Sequence, residues 1–206
     1  MVLMFLRSID TVALLFLILL FPIPFFWLLI HAVIGFWRRF GRRAFWVALP
    51  VWVVSGALLV VGRHRIFAER FHRPAWTWIA GAGLLFLGFW LERQTHQAFG
   101  LRRLVGLPEL QPGHPSSGVV RSGVYRYLRH PRYLQYMSTL LAFAFLTGAA
   151  GYFLLAILSV LLYQVVARLE ERELRALYGN AYEDYARHVP RFLPRLARKR
   201  EPQTSP

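Results

Sequence analysis

The sequence predicts an all-α, polytopic membrane protein with about five transmembrane helices, a C-terminal helical hairpin and a polar tail. Of its 206 residues, 56% are hydrophobic and only 17% are charged, which gives a mean hydropathy of +0.40. Apolar runs recur along the chain, and one crossing of a ~30 Å hydrocarbon core takes about 20 such residues. Little of the chain remains for a separate soluble domain. The absence of cysteine excludes disulfides, thiolate metal sites and iron–sulfur clusters.

Three apolar runs in the N-terminal half predict the first three crossings. The first run, residues 9–30, carries a single charge near its start. Pro22 and Pro24 lie inside it and are expected to kink or break the helix, because proline lacks a backbone donor. The second and third runs cover residues 44–61 and 75–91, each just long enough to span.

A helical hairpin is predicted for residues 131–178, after a polar segment at residues 92–132 whose prolines and glycines indicate a long irregular loop. Pro131 suits the first turn of the fourth helix, because its missing N–H costs nothing there. The fifth helix is expected to continue beyond the membrane to Gly179, a natural helix terminator. Residues 199–206 are predicted to be a disordered basic tail.

The formal net charge is +15, and 24 of the 25 basic residues are arginine. They lie between the apolar runs, which is typical of loops beside anionic lipid rather than of a nucleic-acid-binding surface. A five-helix arrangement places 20 basic residues on one face and 5 on the other. The positive-inside rule then predicts an N-terminus outside and a C-terminus in the cytoplasm. The near absence of lysine favours a high-GC bacterium, and therefore a location in the bacterial inner membrane. The expected partners are membrane lipids, and no nucleic acid is expected.

The predicted hairpin brings two polar clusters to the same depth. Its arms, residues 131–147 and 152–168, have 17 residues each, so the second arm returns the chain to the level at which the first began. One cluster precedes the fourth helix, the other extends the fifth, and the following tail is expected to fold back over both. The residues concerned are Arg129, His130, Tyr133, Arg168, Glu170, Glu171, Tyr182 and Arg191.

The chemistry of these side chains matches the groups of S-adenosylmethionine. Arg129 or Arg191 can bind a carboxylate through two hydrogen bonds. Glu170 or Glu171 can accept hydrogen bonds from an ammonium group or from ribose hydroxyls. Rings that can stack or form hydrogen bonds are supplied by His130, Tyr133 and Tyr182.

Simpler interpretations of the same residues stay open at this point. The glutamates can belong to an exposed helical turn with an i,i+4 pair from Glu171 to Arg175. The arginines can anchor lipid phosphates, and the tyrosines can form an interfacial belt. No metal-ligand spacing such as His-x-x-x-His occurs, so no metal is expected. Solvated or headgroup positions are expected for four histidines near segment ends, namely His31, His64, His72 and His96.

Two motifs lie between Gly123 and Pro194. The first reads Gly-x-Tyr-Arg-x-x-Arg-His-Pro-x-Tyr, and the second reads Glu-Glu-x-x-Leu-x-x-x-Tyr-Gly-x-x-Tyr-x-x-Tyr-x-x-x-Val-Pro-Arg-Phe-x-Pro. They resemble the isoprenylcysteine carboxyl methyltransferase family and its phospholipid N-methyltransferase relatives, which are integral membrane enzymes that use S-adenosylmethionine.

The resemblance implies a division of the chain and of the site. Residues 1–92 would hold three transmembrane helices, and residues 93–198 the catalytic region with its cofactor-binding tail. Glu170 and Arg168 would handle the methyl acceptor. The cofactor pocket would be lined by Arg129, His130, Tyr133, Glu170 and Glu171.

One departure from the family pattern bears on activity. Gln135 stands two residues after the motif tyrosine, where the family usually has glycine, and can narrow the pocket or add a polar contact there. The leading expectation is methyl transfer to a lipophilic or small acceptor, whether a carboxylate, an amine or a thiol. Two alternatives remain. One is a catalytically inactive accessory protein of the same fold, and the other is a membrane reductase, because some sterol reductases share a similar Arg-His-Pro-Tyr tail.

Overall fold

Most of the chain that the structure describes is helical. This computed structural model describes residues 2–37, 39–41, 43, 46, 48–98 and 118–194. Within them, the α-helices are accompanied by the 3₁₀ turn Gly123–Arg126, and no β-strand occurs. The helices are α1 (Val2–Leu20), α2 (Pro22–Ala32), α3 (Ile34–Trp37), α4 (Ala48–Ile66), α5 (Ala75–Ala98), α6 (Pro131–Thr147), α7 (Ala150–Tyr178) and α8 (Asn180–His188). The all-α prediction is confirmed.

Four segments of the described chain are long and apolar enough to cross a membrane. They are Leu6–Ala32, which combines α1 and α2, Leu49–Ile66, Ala75–Gln97 and Ala150–Tyr178. The predicted fourth crossing forms as α6, a helix of 17 residues that is mostly buried. The polytopic prediction is therefore confirmed, with α6 lying inside the helix bundle.

The first apolar segment is interrupted at Phe21. Pro22 begins α2, and Pro24 follows within its first turn. Neither proline can donate to the carbonyl one turn earlier, so the helical hydrogen-bond pattern ends here. Phe21 still donates its N–H to the carbonyl of Leu17 at 2.9 Å. The predicted break is confirmed, and beyond it α2 packs mainly against α7.

Three helices of the N-terminal half differ from their predicted boundaries. The helix expected from residue 9 begins at Val2. The helix expected over residues 44–61 begins at Ala48 and ends at Ile66, and α5 continues to Ala98 instead of ending at Leu91. The start of the predicted irregular loop is therefore helical, because glutamate, arginine and glutamine continue a helix as readily as they form a loop. Residues 99–117 lie outside the described residues, and so does the predicted disordered tail, residues 199–206. The division into two regions stays a prediction.

The hairpin forms with its first arm as predicted and with its second arm beginning at Ala150, two residues before the predicted start. Pro131 is the first residue of α6, and the helix ends at Gly148, whose φ of 63° is a left-handed conformation that favours glycine. The second arm, α7, has 29 residues and ends at Gly179, with φ of 51°. Because α7 is longer than α6, its last turns extend past the start of α6 and carry the glutamates there.

Glycines allow α5 and α6 to approach closely. A Cβ atom on Gly81 would lie 2.7 Å from the side chain of Leu146, and one on Gly88 would lie 2.7 Å from the hydroxyl of Thr139. These contacts fix α6 against α5 on one side. On its other side α6 packs against α1 and α7.

Arg70 and Arg73 hold the end of the bundle at which α6 turns into α7. Arg70 donates to both carboxylate oxygens of Asp10, at 3.1 and 2.6 Å, and to the carbonyl of Thr147 at 3.1 Å. Arg73 donates to the carbonyl of Leu146 at 2.8 Å. The last carbonyls of a helix carry partial negative charge and attract cations. Arg70 and Arg73, which belong to the less basic of the two predicted membrane faces, therefore hold the helices together.

Candidate active site

The two predicted polar clusters meet at the end of the bundle opposite the α6–α7 turn. Gly179 ends α7 and reverses the chain into α8. The segment after α8 then crosses the start of α6, where Arg129 donates its N–H to the carbonyl of Pro190 at 2.9 Å. His130 donates its N–H to the carbonyl of Arg191 at 3.1 Å. The tail therefore folds back over the start of the hairpin, as the sequence predicts.

Glu171 is the centre of an ion-pair cluster. Its side chain is fully buried, with 0% exposure. Arg191 donates to both carboxylate oxygens, from Nε at 2.8 Å and from Nη2 at 2.7 Å. Arg129 Nη1 lies 3.1 Å from Oε1, and Arg175 Nη2 lies 3.4 Å from Oε2. A buried carboxylate is costly unless it is paired, and here three guanidiniums pair with it.

His130 lies between the two glutamates. Its Nδ1 is 3.3 Å from Oε2 of Glu170, and its Nε2 is 3.2 Å from Oε1 of Glu171. Burial favours the neutral ring, but the two carboxylates outweigh this effect and raise the pKa of His130 above its ordinary value. A carboxylate therefore lies beside each ring nitrogen, which favours the protonated form of the ring.

Aromatic rings form the wall beside Glu170. Tyr133 stacks on His130 with ring centroids 5.4 Å apart and planes 5° apart, and it hydrogen-bonds Glu170. On its other side Tyr133 stacks on Tyr163 at 5.2 Å. An apolar cluster from α2, α6, α7 and the tail lies against these rings. Its buried members are Phe26, Trp27, Ile30, Tyr133, Tyr136, Met137, Tyr163, Val166, Ala167 and Phe192.

The helix α8 covers the cluster through two buried tyrosines. The Arg175 guanidinium lies over the ring of Tyr182, 5.9 Å from its centroid. Tyr185 donates its hydroxyl to the carbonyl of Tyr125 at 2.7 Å, and burial raises the pKa of Tyr185 to about 12. Arg121 donates to the carbonyl of Ala181 at 2.6 Å. The 3₁₀ turn and the segment before it therefore anchor α8 over the site.

Two predicted residues lie away from this cluster or at its edge. Arg168 is exposed, and it takes no part in the hydrogen bonds and ion pairs just described for the cluster. Gln135 is half-buried on α6, at the contact with Gly88 of α5, and its Oε1 atom is buried. Seven of the predicted side chains are brought together, namely Arg129, His130, Tyr133, Glu170, Glu171, Tyr182 and Arg191.

His31 is a residue of this region that sequence reasoning missed. The expectation of a solvated or headgroup position is wrong, because His31 is only 6% exposed. Its Nδ1 lies 2.8 Å from Oε1 of Glu173, and its ring stacks on Trp27 with centroids 5.3 Å apart. An ionisable side chain within an apolar helix usually faces the protein interior. The position of His31 near the end of the first apolar run could therefore have indicated that it is buried.

Arg129 shows that the cluster has capacity for a further anion. Its Nε atom is buried and has no hydrogen-bond partner among the described residues. Leaving such a donor unsatisfied costs about 1–3 kcal/mol, which an acceptor on a ligand would recover. In addition, three guanidiniums and one imidazolium face only two carboxylates. The residues present therefore fit the carboxylate of S-adenosylmethionine, and Glu170 lies where an ammonium group could pair with it.

Within the described chain, no group of three or more histidine or acidic side chains is placed to hold a metal ion. The expectation of a metal-free site stays a prediction.

Comparisons with known proteins place this site in a family. A phospholipid methyltransferase family model matches residues 76–181, about half of the chain. Methanethiol S-methyltransferase of Mycobacterium tuberculosis is 30% identical over 172 residues, which cover 77% of this chain and 67% of that protein. Methanethiol S-methyltransferase of Pseudomonas deceptionensis is 29% identical over 119 residues, or 57% of this chain and 44% of that protein.

Methanethiol S-methyltransferase 2 of Bradyrhizobium diazoefficiens is 36% identical over 77 residues, or 37% of this chain and 29% of that protein. The match thus spans less than half of the Pseudomonas and Bradyrhizobium proteins. No solved structure matches the chain. The matched residues of the family model contain all of α6 and α7, with both glutamates, and so confirm the resemblance seen in the motifs. The chain belongs to the phospholipid methyltransferase family, a group of membrane methyltransferases related to the isoprenylcysteine carboxyl methyltransferases.

Proposed function

We propose that this protein is an integral membrane methyltransferase that moves the methyl group of S-adenosylmethionine to a small thiol. The observation that carries the proposal is the Glu171 cluster, which holds excess positive charge and the buried, unpaired Nε of Arg129. A donor molecule with a carboxylate meets both needs. When bound, S-adenosylmethionine supplies an electrophilic methyl group on a sulfonium.

In this proposal, the chain's own residues hold the methyl donor at the start of α6. Arg129 and Arg191 bind its carboxylate, and Glu171 keeps both guanidiniums in position. Glu170, held by His130, takes an ammonium group or a ribose hydroxyl. The aromatic rings of Tyr133 and Tyr182 exclude water from the site, and α8 covers them. Positioning and exclusion of water are the main demands of methyl transfer from a sulfonium.

The methyl acceptor is proposed to bind between Glu170 and the apolar cluster, on the side of the site formed by α2. Small apolar groups bind well in such surroundings, and the relatives with this motif are named for a small thiol. Glu170 is the predicted acceptor-handling residue that lies inside the cluster. Arg168, its predicted companion, is exposed and would meet an acceptor only from the outer face of α7. A phospholipid amine, suggested by the family's description, is the competing acceptor.

The experiment combines purified protein, S-adenosylmethionine with a labelled methyl group, and either methanethiol or phosphatidylethanolamine vesicles. The proposal expects labelled dimethyl sulfide with methanethiol. Label in the lipid fraction alone would replace the thiol by a lipid amine. Transfer to neither acceptor, by protein that remains folded, would favour the inactive accessory protein.

The site is further proposed to face the cytoplasm of a bacterial inner membrane, because Arg129, Arg175 and Arg191 of the site belong to the more basic of the two predicted faces. The chain has no cysteine, so a cysteine introduced at the exposed position Glu183 would report on sidedness by itself. A membrane-impermeant maleimide should label it in inverted vesicles and not in intact spheroplasts. The opposite labelling pattern would contradict the orientation.

A further inference from the structure

We propose that His31, paired with Glu173, accepts the proton of the thiol during methyl transfer. The inference rests on the proposed function and deepens it. His31 lies outside residues 76–181, so the family match does not reach it. What assigns the role is the juxtaposition of an imidazole from α2 with two carboxylates on α7, at the edge of the apolar cluster.

The carboxylate of Glu173 fixes the orientation of the His31 ring. Nδ1 of His31 lies 2.8 Å from Oε1 of Glu173, and a carboxylate can only accept, so Nδ1 carries the hydrogen. In the neutral ring, the basic atom is then Nε2, which is buried. A histidine held by a carboxylate in this way is a common form of general base. Trp27 stacks on the ring and prevents it from turning.

The ring also lies close to Glu170. Glu173 and Glu170 are three residues apart on α7, which places them one turn apart on the same face of the helix. His31 and Glu170 interact electrostatically across this distance. The His31 side chain is 1% exposed and that of Glu173 is 19% exposed, so the pair is shielded from water. An acceptor bound between the apolar cluster and Glu170 would therefore lie next to His31.

The other ionisable groups of the cluster are poorly suited to take a proton. His130 is hydrogen-bonded through Nε2 to Glu171, and its Nδ1 lies 3.3 Å from Glu170, so a carboxylate already faces each ring nitrogen. Glu171 is saturated by guanidiniums, and Glu170 is paired with His130. Both carboxylates are therefore already engaged by cations. The ring of His31, in contrast, is held by one carboxylate at Nδ1, and imidazole is the side chain whose proton exchange ordinarily lies nearest to neutral pH.

Methyl transfer to the thiol moves one proton and exchanges one carbon–sulfur bond for another. The S–H bond of the thiol breaks, its proton passes to Nε2 of His31, and the electron pair stays on sulfur. That pair forms a bond to the methyl carbon, while the bond from this carbon to the sulfonium breaks and its electrons return to the donor's sulfur. The products are a methyl thioether, S-adenosylhomocysteine and an imidazolium paired with Glu173. The imidazolium later releases its proton to solvent.

The test compares two thiols on the full-length protein. Methanethiol is neutral near pH 7, whereas thiophenol is largely ionised and needs no base. His31→Gln is expected to slow transfer to methanethiol by about 100-fold or more, the usual size of a general-base effect. Transfer to thiophenol and the affinity for S-adenosylmethionine should stay close to those of the unaltered protein. His64→Gln, at an exposed position of α4, is the matched control and should change neither rate.

A spectroscopic measurement tests the same step without turnover. Methanethiol added to the complex with S-adenosylhomocysteine should show the ultraviolet absorption of a thiolate, and His31→Gln should remove it. An equal loss of rate with both thiols, or a loss of donor affinity, would make His31 a structural residue and overturn the inference. If His31→Gln does not fold, Glu173→Gln provides the same comparison, with a selective loss for methanethiol expected. If the unaltered protein methylates neither thiol, the proposed function itself fails.

Discussion

Replacing Glu171 with glutamine should lower the free energy of unfolding by about 3 kcal/mol. Breaking one side of a buried ion pair costs about 3–5 kcal/mol, because the partner charge is left buried without compensation. In Glu171→Gln, Arg175 and Arg191, with side chains 40% and 33% exposed, can turn to water and recover part of the loss. Arg129, 10% exposed, and His130, 4% exposed, cannot do so. This places the cost at the lower end of the range.

Equilibrium unfolding in detergent, followed by tryptophan fluorescence, measures this loss. Glu183→Gln removes an exposed carboxylate from α8 and serves as the control, with an expected change within about 0.5 kcal/mol. A loss below about 1 kcal/mol for Glu171→Gln would refute the reasoning, because the cluster would then be too hydrated for its charges to depend on one another.

Three further predictions concern pH, packing and the cover of the site. Because neighbouring carboxylates raise the pKa of His130, the stability contributed by its protonated ring is complete below the ordinary imidazole pKa and is lost as pH rises through the raised value. The difference in Tm between the unaltered protein and His130→Gln should therefore shrink from about pH 6 to about pH 9, and a constant difference would argue against the ion pairs. Gly151→Ala would place a Cβ atom 2.8 Å from the α4 backbone and should lower the free energy of unfolding by about 1–3 kcal/mol. Gly83→Ala is the control, because a Cβ atom there would have nothing within 4 Å, and it should leave the free energy of unfolding unchanged. Equal effects of the two substitutions would contradict this packing. Tyr185→Phe removes the hydrogen bond to Tyr125 and should cost about 1 kcal/mol by the same measurement, and an unchanged stability would show that α8 is held by other contacts.

The hairpin and its polar end could be predicted because their signals are local. Pro131 and Gly179 mark the first and last boundaries, and helices of known rise between them fix the depth of the glutamates. The prolines at positions 22 and 24 likewise predict the interruption between α1 and α2. In each case one residue type has a backbone requirement that hardly depends on the rest of the fold.

The contacts that could not be predicted are those between distant segments. His31 pairs with Glu173, 142 residues later, and nothing in its own neighbourhood shows which helix it will meet. The observed end of α5, Ala98, differs from the predicted end, Leu91, for another reason. A polar sequence is compatible both with a loop and with a helix that extends into water. The pairing of Arg129, Arg175 and Arg191 with one buried carboxylate also depends on tertiary structure, because the sequence equally allows lipid-facing arginines.

The most direct test of the central claim is calorimetric binding of S-adenosylmethionine to the purified protein, to Arg129→Met and to Arg126→Met. Arg126 is an exposed arginine of the neighbouring 3₁₀ turn, and its replacement should leave the affinity unchanged. Losing a hydrogen bond to a charged group costs about 1.5–3 kcal/mol, so Arg129→Met should weaken binding by about 10-fold to 100-fold. Saturable binding that is weakened only by Arg129→Met would support a methyl-donor site at the Glu171 cluster. Absence of binding by the folded protein, or an affinity that Arg129→Met leaves unchanged, would contradict it.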